Sequence, residues 1–315
     1  MTSTMDNPGT NPLIAISDAL ATVVGNVGKS TLAVRGRRRG VASAVVWRPG
    51  ILVTAAHVFR RAPAAVSLVA GGGRSLDAAL IGVDSTTDIA VFRLPDESVA
   101  TAEIGDASSV KVGHLVIAIG RGSDGDLTAS YGLVNRTGEA WQTWLGGHID
   151  RLIRLDGGVY DGLSGGPVAD AKGSVIGIAT SALSRSYGIV VPALTVSRVV
   201  DALLTKGHVT RAFLGIGAQP VPLPRTGGEP EAEGDLKEGL LITSLAPAGP
   251  ADEAGVLIGD ILVRVAGQPA PSLHEVRNAL AGHIGEEVHV DVLRGGAPTE
   301  LRLTVGQWPA ERQCC

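Results

Sequence analysis

The chain has few aromatic residues and almost no cysteine. Phe, Trp and Tyr make up 3% of its 315 residues, so its cores must be built from Val, Leu, Ile and Ala. The two cysteines, Cys314 and Cys315, are adjacent, and neighbouring cysteines make poor disulfide partners. The sequence therefore has no disulfide framework and no cysteine pair with metal-binding spacing.

An excess of positive charge and long apolar runs are also missing. The 27 Lys and Arg residues face 31 Asp and Glu residues, for a net charge of −4, which argues against binding to nucleic acid through phosphate contacts. No run reaches the roughly 18 apolar residues of a membrane span. Met1–Asn11 is polar and lacks the basic start of a signal peptide. We therefore expect no nucleic-acid partner, no membrane span and a cytoplasmic location.

Hydrophobic residues and glycine, by contrast, are plentiful. Hydrophobic residues make up 44% of the chain, which also has 43 Gly and 17 Pro. At about 100–200 residues per domain, this length suggests two domains. From Ser30 to about Val200, short apolar runs such as Ala44–Trp47, Ile51–Thr54 and Val175–Ala179 alternate with turns. This pattern is typical of an antiparallel sandwich or a pair of barrels.

A second unit follows the first. Ser272 and Glu275 form a capping box at the start of a predicted helix, and Pro220–Gly239 is predicted to be a solvated loop. Asn11 and Pro12 predict a short helix near the amino end. We predict an N-terminal segment at 1–27, a first domain at 28–206, a second at 207–306 and a tail at 307–315.

Three short segments carry side chains suited to nucleophilic catalysis. His57 follows an apolar run, Asp88 precedes one, and Ser164 lies within a glycine turn. A serine hydroxyl becomes a nucleophile when an imidazole takes its proton, and a buried carboxylate holds that imidazole in the right tautomer. The chain order His, Asp, Ser is that of the two-barrel serine proteases. Acyl transfer is therefore the chemistry that these residues indicate.

Acyl transfer also needs two backbone N–H groups for the developing oxyanion. Glycine before the serine lets the N–H groups of Gly162 and Ser164 converge. Asp84, a rival acid, fits a turn better. The remaining histidines have neither a serine-glycine partner nor metal-binding spacing, and no HExxH motif occurs. We expect no metal and no cofactor.

The chain resembles the HtrA/Deg family of trypsin-like serine proteases with a C-terminal PDZ domain. The family's TNAHV, D-[LI]-A-V and GNSGGP motifs are matched by Thr54-Ala55-Ala56-His57-Val58, Asp88-Ile89-Ala90-Val91 and Gly162-Leu163-Ser164-Gly165-Gly166-Pro167. The resemblance covers roughly residues 28–306. It implies a mainly β fold, with a chymotrypsin-like double β-barrel protease domain followed by a PDZ domain, an α+β sandwich.

The resemblance also implies roles for individual residues. It makes His57 the general base, Asp88 its orienting carboxylate and Ser164 the nucleophile, with the oxyanion hole at Gly162 and Ser164. Leu163 replaces the family's usual Asn, and Leu155–Asp161 departs from the family's TDAAINP segment. An activation switch in that loop is therefore not assumed.

The second unit resembles a PDZ domain. Phe213-Leu214-Gly215-Ile216 is similar to the family's Y-[IL]-G-[IV] loop, whose backbone N–H groups capture a peptide carboxylate. Ile216, Val276 and Leu280 are expected to line the groove, the alternative being that they only build the core. The implied partners are polypeptide substrates and C-terminal peptide segments at this groove. A homo-oligomer is left open.

The resemblance implies a serine endopeptidase that cleaves unfolded or misfolded proteins through an acyl-enzyme, a role in protein quality control. The alternative is a catalytically idle PDZ scaffold that only binds peptides, against which the intact set of three residues argues. Ile189 and Val190 offer no acid to pair with Lys or Arg, and Asp161 is expected to face the loop exterior. We therefore predict cleavage after small or medium aliphatic residues.

Overall fold

The computed structural model describes residues 11–35, 41–59, 63–184, 186–209, 212–223, 237–280 and 282–307. The chain divides into two compact units, one ending at Val209 and the other made from later residues. This division falls close to the limit predicted between residues 206 and 207, although the exact domain limits stay a prediction. The predicted tail lies outside the described residues except for Gln307.

The first unit is built mainly from strands. Within the described ranges its α-helices are α1 (Pro12–Gly28) and α2 (Ala193–Lys206). Its strands are β1 (Thr31–Arg35), β2 (Val41–Arg48), β3 (Ile51–Ala55), β4 (Ala65–Val69), β5 (Ser75–Asp84), β6 (Ile89–Arg93), β7 (Leu115–Arg121), β8 (Leu127–Gly138), β9 (Trp141–Gln142), β10 (His148–Ile149), β11 (Leu152–Leu155), β12 (Pro167–Asp170), β13 (Val175–Thr180) and β14 (Ile189–Pro192).

These strands close into two barrels. The first has the order β1-β2-β3-β6-β5-β4 and the second the order β11-β14-β13-β12-β7-β8. Every pairing within them is antiparallel. The double β-barrel that the family resemblance implied is therefore confirmed.

Strand β3 shows why the predicted strands are apolar on both faces. Successive side chains of a strand point to opposite faces, so Leu52 packs into the first barrel with Phe92. Ile51 and Val53 point the other way, into a second core that also contains Val199 of α2. Because both faces are buried, the sequence shows a continuous apolar run rather than alternation.

The second unit contains one larger sheet. Within the described residues its helices are α3 (Pro250–Glu253) and α4 (Leu273–Ala279). Its strands are β15 (Ala212–Phe213), β16 (Ile216–Pro222), β17 (Glu238–Leu245), β18 (Ile261–Val265), β19 (Gln268–Pro269), β20 (Glu287–Arg294), β21 (Ala297–Thr304) and β22 (Gly306–Gln307).

The main sheet runs in the order β16-β17-β18-β20-β21, so among the described residues β16 lies at an open edge. Strands occupy both ends of the predicted loop Pro220–Gly239, up to Pro222 and from Glu238, while 224–236 lie outside the described residues.

Local capping signals explain where two helices begin. Leu13 N–H donates to Asn11 Oδ1 at 3.0 Å, with Pro12 in the first turn. Ser272 Oγ bonds the Glu275 carboxylate, and Glu275 N–H donates back to Ser272 Oγ at 3.4 Å. No helix in the described ranges combines the length and apolarity needed to cross a bilayer.

Candidate active site

The pairing of β3 with β6 brings His57 and Asp88 together. Ala55 pairs with Ile89 at the end of this ladder, so the residues just after β3 lie beside those just before β6. His57 N–H donates to Asp88 Oδ1 and His57 Nδ1 bonds Asp88 Oδ2, each at 2.8 Å. The acid therefore holds both the backbone and the ring of the histidine.

Asp88 adopts a backbone conformation that is unusual for a residue other than glycine. Its φ is +61°, in the left-handed region that costs most side chains free energy but is several-fold enriched in Asp. Its carbonyl accepts from Ala56 N–H at 3.1 Å, and the residue is only 3% exposed. Strained backbone of this kind clusters at functional sites.

The acid also changes the acid–base behaviour of the histidine. Burial lowers the pKa of His57, but the hydrogen bond to Asp88 and its negative charge outweigh burial, so the pKa is raised above the ordinary 6.5. This side chain is a base whose protonated form is stabilised by a fixed carboxylate, as proton abstraction requires.

A second ladder places Ser164 beside the first pair. Pro167 at the start of β12 pairs with Ile178 near the end of β13, so the turn before β12 lies next to Thr180 and Ser181. Thr180 Oγ1 donates to Asp88 Oδ2. A hydrogen bond from the second barrel thus reaches the acid carried by the first.

Ser181 lies between the serine and the histidine. Its Oγ is 3.2 Å from Ser164 Oγ and 3.3 Å from His57 Nε2. Among the described residues, Ser164 Oγ and His57 Nε2 form no direct hydrogen bond. His57, Asp88 and Ser164 nevertheless lie at one place, with the Ser181 hydroxyl between the serine and the histidine, and their catalytic roles stay a prediction.

The turn before Ser164 presents two backbone donors. Gly162 has φ +88°, and its carbonyl accepts from Ser43 Oγ at 2.6 Å. Ser43 N–H donates to the Ser164 carbonyl at 3.0 Å, so Ser43 holds the turn from both sides. Within the described part of the chain, no acceptor bonds the N–H groups of Gly162 and Ser164, which leaves both donors available to an oxyanion.

The turn around Ser164 packs closely against its surroundings at Gly165, which can be tested by substitution. It has φ +82°, and a Cβ there would lie 2.3 Å from Thr54 Oγ1 and 2.4 Å from the Ser43 carbonyl oxygen. We expect Gly165→Ala to cost about 1–2 kcal/mol for the left-handed backbone and about 1–3 kcal/mol for overpacking. Denaturant unfolding measures this loss.

Gly157→Ala is the matched control, because its Cβ would meet nothing within 4 Å. We expect it to unfold close to the wild type. Equal stability of the Gly165→Ala and Gly157→Ala variants would contradict the close fit of the turn.

Sequence reasoning missed three residues of this site. Ser43, Thr180 and Ser181 are ordinary hydroxyl residues in strands or at strand ends, and only their position relative to Ser164 and Asp88 distinguishes them. Asp84 accepts bonds from Thr86 and Thr87, as expected of a turn acid. Clusters of three or more potential metal ligands are absent from the described residues.

The predicted peptide loop of the second unit lies at the edge of its sheet. Among the described residues, the N–H groups of Leu214 and Gly215 bond no acceptor, while their carbonyls accept from Ala251 and Ala246. Val276 and Leu280 are 3% and 1% exposed and belong to the core. Phe213 and Ile216 are partly exposed. The roles of all these residues in a groove stay a prediction, and for Val276 and Leu280 the core alternative has the support of their burial.

The comparisons with known proteins agree with this architecture. Residues 42–178 match the trypsin-like peptidase domain family, and residues 241–294 match the PDZ domain family. The chain is 32% identical over 296 residues to a DegP-like periplasmic serine endoprotease of Brucella suis, covering 90% of this chain and 56% of that protein. It therefore spans little more than half the length of that relative.

A second relative is covered more fully. The serine protease HhoB of Synechocystis is 30% identical over 285 residues, which cover 87% of this chain and 68% of that protein. Among solved structures, the HtrA-type protease AlgW with a decapeptide gives a TM-score of 0.75 at 22% identity, covering 92% of this chain and 98% of that one. The serine endoprotease from Yersinia pestis gives 0.73 at 24%, covering 92% and 98%. At 22% and 24% identity, these two structures support the fold of this chain and nothing further.

The comparisons overturn the expected location. Relatives from Brucella suis, Chlamydia muridarum and Halomonas elongata are named periplasmic serine endoproteases. The prediction of a cytoplasmic protein is therefore wrong. It rested on the polar character of residues 1–11, and the composition of a short terminal segment does not determine where the folded domains act.

The predicted fold class, including the PDZ domain after the double barrel, is confirmed, whereas none of these findings tests a homo-oligomer. The pairing of a trypsin-like domain with a PDZ domain, together with the likeness to DegP-type proteins and to HhoB, identifies the family. This chain belongs to the HtrA/DegP family of trypsin-like serine endoproteases with a PDZ domain.

Proposed function

We propose that this chain is a serine endopeptidase that hydrolyses peptide bonds through an acyl-enzyme. The observation that carries the proposal is the buried carboxylate of Asp88 bound to His57 Nδ1 at 2.8 Å, next to Ser164 and two backbone donors that bond no acceptor among the described residues. His57 takes the Ser164 proton as Ser164 Oγ attacks the scissile carbonyl. The N–H groups of Gly162 and Ser164 hold the oxyanion that forms.

The second half of the reaction uses the same groups. The imidazolium of His57, stabilised by Asp88, gives its proton to the leaving amine, and a water then attacks the acyl-enzyme with His57 again as base. A PDZ scaffold without activity is the alternative. Such a scaffold would have no use for a left-handed Asp88 or for a turn with two donors left open.

Covalent labelling of Ser164 distinguishes an active peptidase from a scaffold without activity. We expect a serine-reactive aryl phosphonate to attach to Ser164, detected by intact mass and peptide mapping, and to be lost in the Ser164→Ala variant. Ser186→Ala is the matched control, since Ser186 is exposed and its hydroxyl forms no bond in the described part of the chain. A folded wild-type protein that remains unlabelled would favour the scaffold.

We propose further that the enzyme cleaves after small or medium aliphatic residues. Gly188 N–H donates to the Gly157 carbonyl at 2.8 Å, which joins the start of β14 to the segment before Ser164. A Cβ on Gly188 would meet the Gly157 carbonyl oxygen at 2.9 Å, and the side chains beside it are the apolar ones of Val159 and Leu155, at 3.2 and 3.3 Å. The nearby acid Asp161 is exposed. An apolar site discriminates by only about 1–3 kcal/mol per methylene, so the preference is broad.

A peptide-library digest tests this preference. We expect most cuts to follow Val, Ala, Ile or Leu, with the same bonds cut by Asp161→Asn. Dominant cleavage after Lys or Arg that disappears in Asp161→Asn would contradict the proposal and assign Asp161 to the substrate pocket.

For the PDZ domain we propose that it binds the C-terminal segment of a polypeptide as an added strand. The open N–H groups of Leu214 and Gly215 fit a carboxylate, and β16 follows directly at the sheet edge. Unfolded or misfolded proteins present such segments, so the proposed substrates are those of protein quality control. Because relatives from Brucella suis, Chlamydia muridarum and Halomonas elongata are named periplasmic, we propose the periplasm as the location.

The edge strand limits how far an added strand can pair. Leu223 N–H donates to the Lys237 carbonyl at 2.9 Å, and Val221 pairs with Gly239. Since bonding alternates along an antiparallel pair, Pro220 and Pro222 fall at the positions that face the open edge. Proline has no N–H to donate, so the ladder with a ligand can extend only over the first residues of β16.

The free carboxylate should therefore dominate peptide binding. We expect a fluorescent peptide ending in an apolar residue to bind the full chain about 10- to 100-fold more tightly than its C-terminal amide, as hydrogen bonds to a charged group suggest. Lengthening the peptide at its amino end beyond about four residues should add little, because of the two prolines. Equal binding of acid and amide, measured by fluorescence anisotropy, would contradict carboxylate capture.

A further inference from the structure

The hydroxyl groups of Ser164 and Ser181 both lie near the candidate base, and only one of them can donate to His57 Nε2. A neutral imidazole that donates from Nδ1 has a single acceptor lone pair, at Nε2. Asp88 Oδ2 lies 2.8 Å from Nδ1, and a carboxylate can only accept, so the proton of the neutral ring lies on Nδ1. Nε2 is therefore the acceptor, and the hydroxyl beside it at 3.3 Å belongs to Ser181.

The position of this proton also determines which hydroxyl donates in the hydrogen bond between Ser164 and Ser181. A serine hydroxyl has one proton, and Ser181 uses its proton on His57 Nε2. The contact of 3.2 Å between Ser164 and Ser181 must then be donated by Ser164. In this arrangement the nucleophile points its proton at another hydroxyl and not at the base.

The fold holds Ser181 in this position. Thr180 Oγ1 donates to Asp88 Oδ2 and accepts from Ala182 N–H at 3.0 Å. The residues on both sides of Ser181 are thus tied to the acid that orients the imidazole. Asp88 fixes both the histidine ring and the short segment that brings the competing hydroxyl to it.

We propose that Ser181 is a positioning residue that occupies the base in the resting enzyme and lowers its activity. This inference rests on the proposed peptidase function. Before Ser164 can pass its proton to His57, the Ser181 hydroxyl must rotate away from Nε2, after which Ser164 Oγ–H takes its place. The rearrangement breaks two neutral hydrogen bonds, from Ser181 to Nε2 and from Ser164 to Ser181, and forms one, from Ser164 to Nε2, with no net change in protonation.

The size of the effect follows from the strength of the bond from Ser181 to Nε2. A neutral intramolecular hydrogen bond is equivalent to about 2- to 10-fold in an equilibrium constant. Ser181→Ala should therefore raise kcat/KM by about 2- to 10-fold. Because a donor to the free lone pair stabilises the neutral ring, removing it should also raise the pKa of His57 and move the acid limb of the pH profile upward.

The test compares Ser181→Ala with Ser181→Thr, which keeps the hydroxyl, and with Ser186→Ala as a control in the same loop. Hydrolysis of a fluorogenic peptide gives kcat/KM against pH, and NMR titration of the His57 ring gives its pKa without requiring turnover. We expect the Ala variant alone to be faster and to titrate at higher pH. The Thr and Ser186→Ala variants should stay close to the wild type.

Each other outcome overturns the proposal. An Ala variant that is slower makes Ser181 a proton relay or a structural residue, and an unchanged rate shows that it does not occupy the base. A faster variant with an unshifted histidine excludes the contact with Nε2. If neither the wild type nor the variants hydrolyse peptide, the peptidase proposal fails. If the His57 ring of Ser181→Ala titrates as in the wild type, the contact between Ser181 and Nε2 is excluded, whatever the activity.

Discussion

Replacing Ser164 by alanine should reduce kcat by roughly 10⁶-fold, because residues that act as one catalytic unit cannot substitute for each other. His57→Ala should lose a similar factor, and the double variant little more than either single one. Casein hydrolysis and a fluorogenic peptide measure the loss.

Ser164→Ala should leave the free energy of unfolding almost unchanged. Among the described residues, the partly exposed Ser164 side chain bonds the exposed Ser181, and substitutions of such side chains near the surface usually alter stability by less than about 0.5 kcal/mol. We expect the thermal midpoint of Ser164→Ala to match the wild type. A Ser164→Ala variant that keeps most of its activity would rule out Ser164 as nucleophile. A variant that loses both activity and fold would attribute the lost activity to unfolding, and Gly157→Ala serves as the reference for a substitution that leaves stability unchanged.

Asp88→Asn should lower kcat by about 10⁴-fold, the effect of losing the correct histidine tautomer in an otherwise intact triad. Asp88 accepts from the His57 backbone, the His57 ring and Thr180 Oγ1. An amide retains one acceptor oxygen and gains two donors, so it cannot satisfy all three of these groups.

The pH dependence of this variant has a definite sign. Asp88 raises the pKa of His57 above 6.5 against the opposing effect of burial. In the wild type, kcat/KM should therefore increase with pH through a pKa above 6.5, because the base acts in its neutral form. Without the carboxylate, burial prevails, so the residual activity of Asp88→Asn should have its acid limb at lower pH.

Asp84→Asn provides the comparison, since Asp84 is also buried and accepts hydrogen bonds from the neighbouring Thr86 and Thr87. Its acid limb should coincide with that of the wild type. An Asp88→Asn profile with an unmoved acid limb would show that this carboxylate does not set the basicity of His57.

Much of this architecture follows from local patterns. The apolar runs around Ile51–Val53 and Val175–Ala179 indicated strands, and Asn11 and Ser272 marked helix starts through caps that the structure contains. These features depend on residues only a few positions apart. Local geometry is repetitive, so short-range patterns are enough to predict it.

The candidate triad was predictable for a related reason. His57, Asp88 and Ser164 each lie at a strand end within a recognisable motif, and strand ends are brought together by ladder register. The limit of such reasoning appears at the PDZ groove, where Val276 and Leu280 have the apolar character of both a groove and a core. Their burial is decided by how α4 packs, and sequence character does not distinguish the two.

By itself, the sequence determined the strand-rich fold, the order of the candidate catalytic residues and the two-domain plan, because apolar runs, turns and caps are local. The tertiary structure alone decided which hydroxyls join the site. Ser43 bonds Gly162 across 119 positions, Thr180 bonds Asp88 across 92, and Ser181 meets His57 across 124. Contacts at such separations depend on how the two barrels pack and pair their strands, and a common residue such as serine carries no local signal of them.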